Sequence, residues 1–247
     1  MTRMTTAVLF DVDFTLIHPG PMFQGEGYRA FCARFGIEAD AARFPQAVAA
    51  AAPLLEVSED AVYDNDVYVA YSRGIIEGMG GRGEAITECA RQIYAEWAAC
   101  HHFSLYADVP DVLRGLVDAG IRVGLVSNSH RCLSTFQTHF GLDGLIAATI
   151  SSSEHGLMKP HPSIFTAALR LLDVDASNAL MVGDSVDHDV TGALRAGLGA
   201  VLLHRDHVPH PRERELLTRG VPTIRTLHEL PAMLLRERSD VMVGQVG

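Results

Sequence analysis

Residues 9–16 read Leu-Phe-Asp-Val-Asp-Phe-Thr-Leu. The run Ala7 to Phe10 that leads into the first carboxylate is short and wholly apolar, the pattern of a strand buried on both faces of a parallel sheet. Asp is depleted in strands, yet Asp11 and Asp13 stand one residue apart where this strand ends. Phe14 follows at a place where a tight turn would favour glycine. Two carboxylates at the mouth of a buried strand need a chemical reason.

Downstream the same arrangement recurs. Residues 110–119 are expected to be helical, with Pro110 in the first turn, Val112, Leu113, Leu116 and Val117 on one face, and Gly120 as the stop. Ile121 to Val126 is a second buried strand, closed by Ser127-Asn128-Ser129. Helix over 133–140, strand over 145–150 and helix over 162–172 follow. Residues 179–182 form a strand that runs into Gly183-Asp184, and 190–196 is helix. Strands at 200–203 and 222–224 and a terminal helix over 227–236 complete the series. Strands alternating with helices argue an α/β fold with a doubly wound parallel sheet. Asp11, Ser127 and Asp184 each follow a strand directly, and such sheets bind ligands at the carboxyl ends of their strands.

Between about 18 and 104 no convincing strand is found. Helices are expected near 28–35, 62–76 and 85–97, with the glycines from Gly78 to Gly83 breaking the last two apart. The expected organisation is therefore an α/β core from 1–17 and 105–238, an inserted α-helical domain at 18–104, and a C-terminal tail at 239–247. No internal repeat is visible.

Composition narrows the function. The chain has 247 residues, 48% of them hydrophobic, 20% charged, with a formal net charge of -10. That length suits one large domain or a core with an insert. The acidic balance is a poor footprint for nucleic acid, and any anionic ligand must be attracted by local groups rather than the overall field. Cys32, Cys89, Cys100 and Cys132 are too scattered for a CxxC metal or redox site. No apolar run approaches a membrane span or a signal-peptide core, so a soluble cytoplasmic protein is expected.

The residues at the strand ends form a coherent chemistry. Carboxylates from different strands make a hard oxygen site that suits Mg²⁺. A lysine, a hydroxyl and backbone N–H groups can donate to phosphate oxygens. One carboxylate can act as a nucleophile through an aspartyl-phosphate.

The segments DVDFT, LVSN, MKPHP and GDSVDHD, in this order, resemble motifs one to four of the haloacid dehalogenase (HAD) superfamily, over about residues 7–205. The resemblance implies a Rossmann-like core with a C1-type helical cap at 18–104. It implies Asp11 as nucleophile and metal ligand, and Asp13 as general acid/base whose carbonyl also meets the metal. Ser127 and the Asn128 N–H would hold phosphoryl oxygens, Lys159 would neutralise Asp11 and the phosphoryl group, and Asp184 would bind Mg²⁺. Asp189 would orient Lys159 or hold metal-bound water. A phosphatase must protonate an alkoxide and later activate water, whereas the family's dehalogenases expel halide and resemble D-x-Y here; Asp13 therefore favours phosphoester hydrolysis. The expected substrate is a small phosphorylated metabolite, with no nucleic-acid or membrane partner and a monomer or homodimer. The competing readings are a phosphomutase or haloacid dehalogenase on the same scaffold, and a phosphate-binding regulatory protein without turnover.

Phe14 departs from the family, which usually has glycine there. The expectation is a negative φ, with the ring packed under the cap. Thr15 is read as a loop-fixing or structural residue and Asp187 as a surface or capping carboxylate. His130 could reach substrate but reads as an exposed bystander. Arg73 reads as a solvated helix arginine, with a substrate anion as its alternative, and Tyr63, Tyr68 and Tyr71 as packing. His101 and His102 have no carboxylate at ligand spacing and are not expected to bind a second metal.

Overall fold

A computed structural model of the chain describes residues 4–56, 58, 60, 62–206 and 208–235. The strands are β1 (Ala7–Phe10), β2 (Ile17–Pro19), β3 (Phe103–Leu105), β4 (Arg122–Ser127), β5 (Ala148–Ser151), β6 (Ala179–Gly183), β7 (Gly199–Leu203) and β8 (Thr223–Ile224). The helices are α1 (Gly25–Arg34), α2 (Phe44–Ala51), α3 (Asn65–Gly78), α4 (Ile86–Trp97), α5 (Val109–Asp118), α6 (Leu133–His139), α7 (Ser152–His155), α8 (Pro162–Leu172), α9 (Gly192–Arg195) and α10 (Glu213–Thr218). A six-stranded sheet runs in the order β5-β4-β1-β6-β7-β8, and its ladders are parallel. The fold is thus the expected α/β doubly wound sheet.

Register explains why polar residues meet at one edge of this sheet. Phe10 at the end of β1 pairs with Leu125 on one side and Val182 on the other. The Asp11 N–H then donates to the Val182 carbonyl at 3.0 Å, which carries the ladder one residue further. Neighbouring strands lie about 4.8 Å apart, so the residues just past β1, β4 and β6 fall within side-chain reach of one another. Every residue of β1 is fully buried, as a central strand covered on both faces requires. One covering layer is α8, whose Ile164, Phe165, Ala168, Leu169 and Leu172 pack into a core with Leu9, Val126 and Met181. Each such large side chain contributes about 1.5–3 kcal/mol on burial.

The chain divides into two compact units, Met1–Ile17 with Leu105–Gly247, and His18–Ser104. The second unit holds α1–α4, with α3 packed against α2 and α4. Two short strands occur where none was expected: β2 and β3 pair with each other in a two-stranded sheet. Three-residue strands are too short to leave a period-two signature in sequence. The helix expected at 190–196 is instead a π-helical turn, Val186–Thr191, followed by the short α9. Near the C-terminus a 3₁₀ turn, Leu227–Glu229, leads into helix at 230–235. Residue 236, the core boundary at 238 and the tail at 239–247 lie outside the described residues. Among those described, no helix is long and apolar enough to cross a membrane.

Candidate active site

Lys159 is the hub. Its side chain is 2% exposed, and its Nζ donates to Asp11 Oδ1 at 2.6 Å and to Asp189 Oδ1 at 2.7 Å. The other Asp189 oxygen accepts from the Ser185 N–H at 3.0 Å. The π-helical turn makes this possible: its wider winding brings Asp189 back over the end of β6, with Thr191 Oγ1 donating to the Val186 carbonyl across it. Such turns concentrate at functional sites. Gly183 is the other requirement, because a Cβ there would lie 2.2 Å from Asp189 Oδ2.

The Lys159 backbone is pinned as firmly as its side chain. Asn128 Nδ2 donates to the Lys159 carbonyl at 2.9 Å, and the Lys159 N–H donates to Asn128 Oδ1 at 2.8 Å. The Asn128 side chain therefore ties the loop after β4 to the lysine loop. Ser127 is buried, and its Oγ donates to Ser129 Oγ at 3.0 Å.

Asp11, Asp184 and Asp189 each offer an oxygen, and these oxygens lie within 4.8 Å of one another. Burial pushes the Asp11 carboxyl up to about 7, with Lys159 opposing and Asp189 and Asp13 adding to the rise. Desolvation and the charges of Asp11 and Asp189 push the Asp184 carboxyl well above the usual carboxylate range. The Asp184 residue is itself exposed at the mouth of the cluster. Burial works against the Lys159 ammonium, but Asp11 and Asp189 outweigh it and hold its pKa above the ordinary lysine range. Three carboxylates gathered around one ammonium are short of positive charge. An all-oxygen donor set of this kind fits a hard divalent cation.

Asp13 belongs to a different pair. Arg131 Nη1 donates to Asp13 Oδ1 and Oδ2, both at 3.0 Å, and the arginine is 1% exposed. Sequence reasoning missed Arg131 altogether. An arginine in a loop reads as solvated, and its partner lies 118 positions away in the chain.

Phe14 corrects the sequence reading. Its φ is +64, not negative, and the residue is 46% exposed. The turn dictates this: the Phe14 N–H donates to the Ile17 carbonyl at 2.7 Å, and the Leu16 and Ile17 N–H groups return to the Val12 carbonyl. Closing so tight a loop needs a left-handed residue, which is costly for a bulky side chain. Thr15 fixes the loop through its backbone rather than its hydroxyl, its carbonyl accepting from Arg205 Nη2 at 2.9 Å.

The remaining residues fall away from the site's chemistry. Asp187 makes a surface pair with Arg212, and His130 is half-buried rather than exposed. Arg73 pairs with Glu77 one helical turn on, at 2.9 Å. Tyr63 hydrogen-bonds Tyr94 at 2.6 Å and Tyr68 stacks on it at 5.2 Å, so these rings pack on α4. One reading needs correction: Glu96 supplies the carboxylate that seemed to be missing beside His101 and His102, with its Oε2 3.0 Å from His102 Nε2. Among the described residues no fourth ligand joins these three.

The chain belongs to the haloacid dehalogenase-like hydrolase family, whose model matches residues 5–197; it is a hydrolase of that family. It is similar to the ribulose-1,5-bisphosphate 5-phosphatase of Halopiger xanaduensis, 30% identical over 81% of this chain and 84% of the relative. The glyceraldehyde 3-phosphate phosphatase of Methanopyrus kandleri is 28% identical over 82% of this chain and 85% of its own length. Among solved structures, a HAD phosphatase from Thermococcus onnurineus superposes with a TM-score of 0.64 at 25% identity, covering 93% of this chain and 98% of that one.

Proposed function

We propose that this chain is a Mg²⁺-dependent phosphatase that hydrolyses small phosphomonoesters through a phosphoryl group carried on Asp11. The observation that carries the reading is the pairing of two differently held aspartates two residues apart: Asp11 on Lys159, and Asp13 on Arg131. A nucleophile needs a neighbouring cation and an exit for its charge, and an acid/base needs a separate environment.

Asp11 Oδ1 is engaged by Lys159, which leaves Oδ2 to attack phosphorus. The P–O bond to the leaving group breaks as the Asp11–phosphorus bond forms, and Asp13 gives its proton to the departing oxygen. Water then attacks the phosphoryl group, its proton passes to Asp13, and Asp11 returns as a carboxylate. Lys159 stays charged throughout and offsets the negative charge that gathers on the equatorial oxygens. Ser127 and the Asn128 N–H orient those oxygens. Asp11, Asp184 and the Asp13 carbonyl would hold the cation, which when bound screens Asp11 from the phosphate dianion it attacks. Asp189 holds Lys159 in place.

The core is assigned to residues 1–17 and 105–238 and the cap to 18–104, where substrate selectivity would reside. The phosphatases named among the relatives act on phosphorylated sugars and trioses, so these lead the test panel. Phosphate release is measured with Mg²⁺ and with EDTA, on wild type and Asp11→Asn. Turnover that requires both the cation and Asp11 supports the reading. No phosphate release, with halide release from a 2-haloacid or bisphosphate-dependent isomerisation instead, replaces it with the dehalogenase or the mutase.

A further inference from the structure

Arg131 lies four residues past Ser127, in the loop between β4 and α6, and heads the fully buried side chains by volume. Burying a guanidinium is unfavourable without a compensating partner, and here one nitrogen, Nη1, meets both oxygens of Asp13 at equal distance. That contact draws the carboxylate toward one point, with both oxygens turned to the same nitrogen.

Each of the two loops also has bonds of its own. The turn that carries Asp13 is closed by its own backbone bonds, from Phe14 to Ile17 and from Leu16 and Ile17 to Val12. The loop that carries Arg131 is held by the Ser127–Ser129 contact, by the reciprocal Asn128–Lys159 bonds, and by buried Leu133 and Phe136 at its far side. What the two loops leave undetermined is the rotamer of Asp13.

We propose that Arg131 is a positioning residue that aims the Asp13 carboxyl, and that it is needed for the proton transfers of the reaction but not for attack by Asp11. This rests on the phosphatase reading and deepens it by dividing the cycle. A leaving group that needs no proton would still depart from an Arg131 variant. The phosphoryl group would then remain on Asp11, because water needs an aimed Asp13 to attack it.

The test compares p-nitrophenyl phosphate, whose phenolate departs unprotonated, with an alkyl phosphate such as glycerol phosphate, in wild type, Arg131→Met, Asp13→Asn and the double variant. The expected result for Arg131→Met is a fall of about 100-fold or more in kcat on the alkyl ester, the scale of general acid–base catalysis. On p-nitrophenyl phosphate it should give a burst of about one p-nitrophenol per site, then slow turnover, with labelled phosphate trapped on Asp11. Adding Arg131→Met to Asp13→Asn should change neither rate by more than about twofold, since a residue that acts through another has nothing further to lose. Thermal denaturation shows whether Arg131→Met folds. If it does not, Arg131→Lys keeps the charge and a single nitrogen donor but on a stem one atom too short to reach the Nη1 position, and the same split should appear with a loss of at least about tenfold. Loss of the burst, losses that multiply in the double variant, or undiminished alkyl-ester turnover would each overturn the proposal while leaving the phosphatase reading intact. Absence of any Asp11-dependent phosphate release in wild type would overturn both.

Discussion

The charge balance at the β1 end makes a pH experiment decisive. In the metal-free protein the Asp11 carboxyl titrates near 7, against an ordinary value of 3.8. A group raised in the folded state binds its proton more tightly there than in the unfolded chain. Its contribution to stability is therefore fully present below about 3.8 and lost as pH rises through about 7. At about 1.4 kcal/mol for each pH unit of that gap, the loss is about 4 kcal/mol. Divalent cation binds the ionised carboxylate and so competes with the proton. The perturbation is Asp11→Asn, which keeps the side chain's shape and an acceptor for Lys159 but cannot ionise. Urea unfolding in EDTA from pH 4.5 to 8.5 should show wild type losing stability relative to Asp11→Asn by about 3 kcal/mol, the part of that loss that falls above pH 4.5, most of it below pH 7.5. Millimolar Mg²⁺ should raise wild-type stability more at pH 8 than at pH 5, and should raise that of Asp11→Asn much less at either. Parallel pH curves for the two proteins would refute the argument, because the carboxyl would then not be raised by its surroundings.

Lys159→Met removes the shared cation of two buried aspartates, and a broken buried pair costs about 3–5 kcal/mol; denaturation at pH 8 should show that loss, with most of it recovered at pH 5, and phosphate release should vanish. Gly183→Ala forces a methyl to within 2.2 Å of Asp189 Oδ2, so Asp189 must move, and the expected outcome is about 1–3 kcal/mol of destabilisation together with a fall in kcat that exceeds any rise in KM. Phe14→Gly relieves a left-handed aromatic at a strain of about 1–2 kcal/mol and loses about 0.5–1 kcal/mol to backbone entropy; its melting temperature should stay level or rise by a few degrees.

What could be read in the sequence follows from burial. A parallel strand covered on both faces must be apolar throughout, so a polar residue directly after one stands out, and that is how Asp11, Ser127 and Asp184 were found. Lys159 and Asp189 follow no strand; they came from motif likeness, which implied that Asp189 orients Lys159 or holds metal-bound water, and their side chains meet across 30 positions. Arg131 carries no local mark of burial. A basic residue shortly after a strand-end Ser-Asn loop is its only signal, and that pattern is common on surfaces. Phe14 was misread because side-chain preference was weighed and turn closure was not: the backbone bond from Phe14 to Ile17 fixes φ before the ring has any say. The reason for Gly183 lies in the folded-back Asp189, and the π-helical turn that folds it has the same composition as an ordinary helix start.

The four acidic residues of the site are not equivalent, and the difference predicts an opposite-signed result at one of them. Asp11 and Asp189 share Lys159, and Asp13 has Arg131. Asp184 instead lies against Asp11 and Asp189, whose charges oppose its ionisation. It therefore contributes repulsion to the metal-free fold and an oxygen to the cation. Asp184→Asn should raise the melting temperature of the EDTA-treated protein at pH 8, where the wild-type carboxylates repel one another most. The same change should weaken Mg²⁺ binding by about tenfold or more, since affinity at oxygen sites follows the charge of the ligands. Calorimetric titration with Mg²⁺ and a melting curve in EDTA read the two effects separately. A variant that loses stability in EDTA but keeps its cation affinity would mean that Asp184 holds the loop rather than the ion, and the cation would then have to be assigned to Asp11 and Asp189.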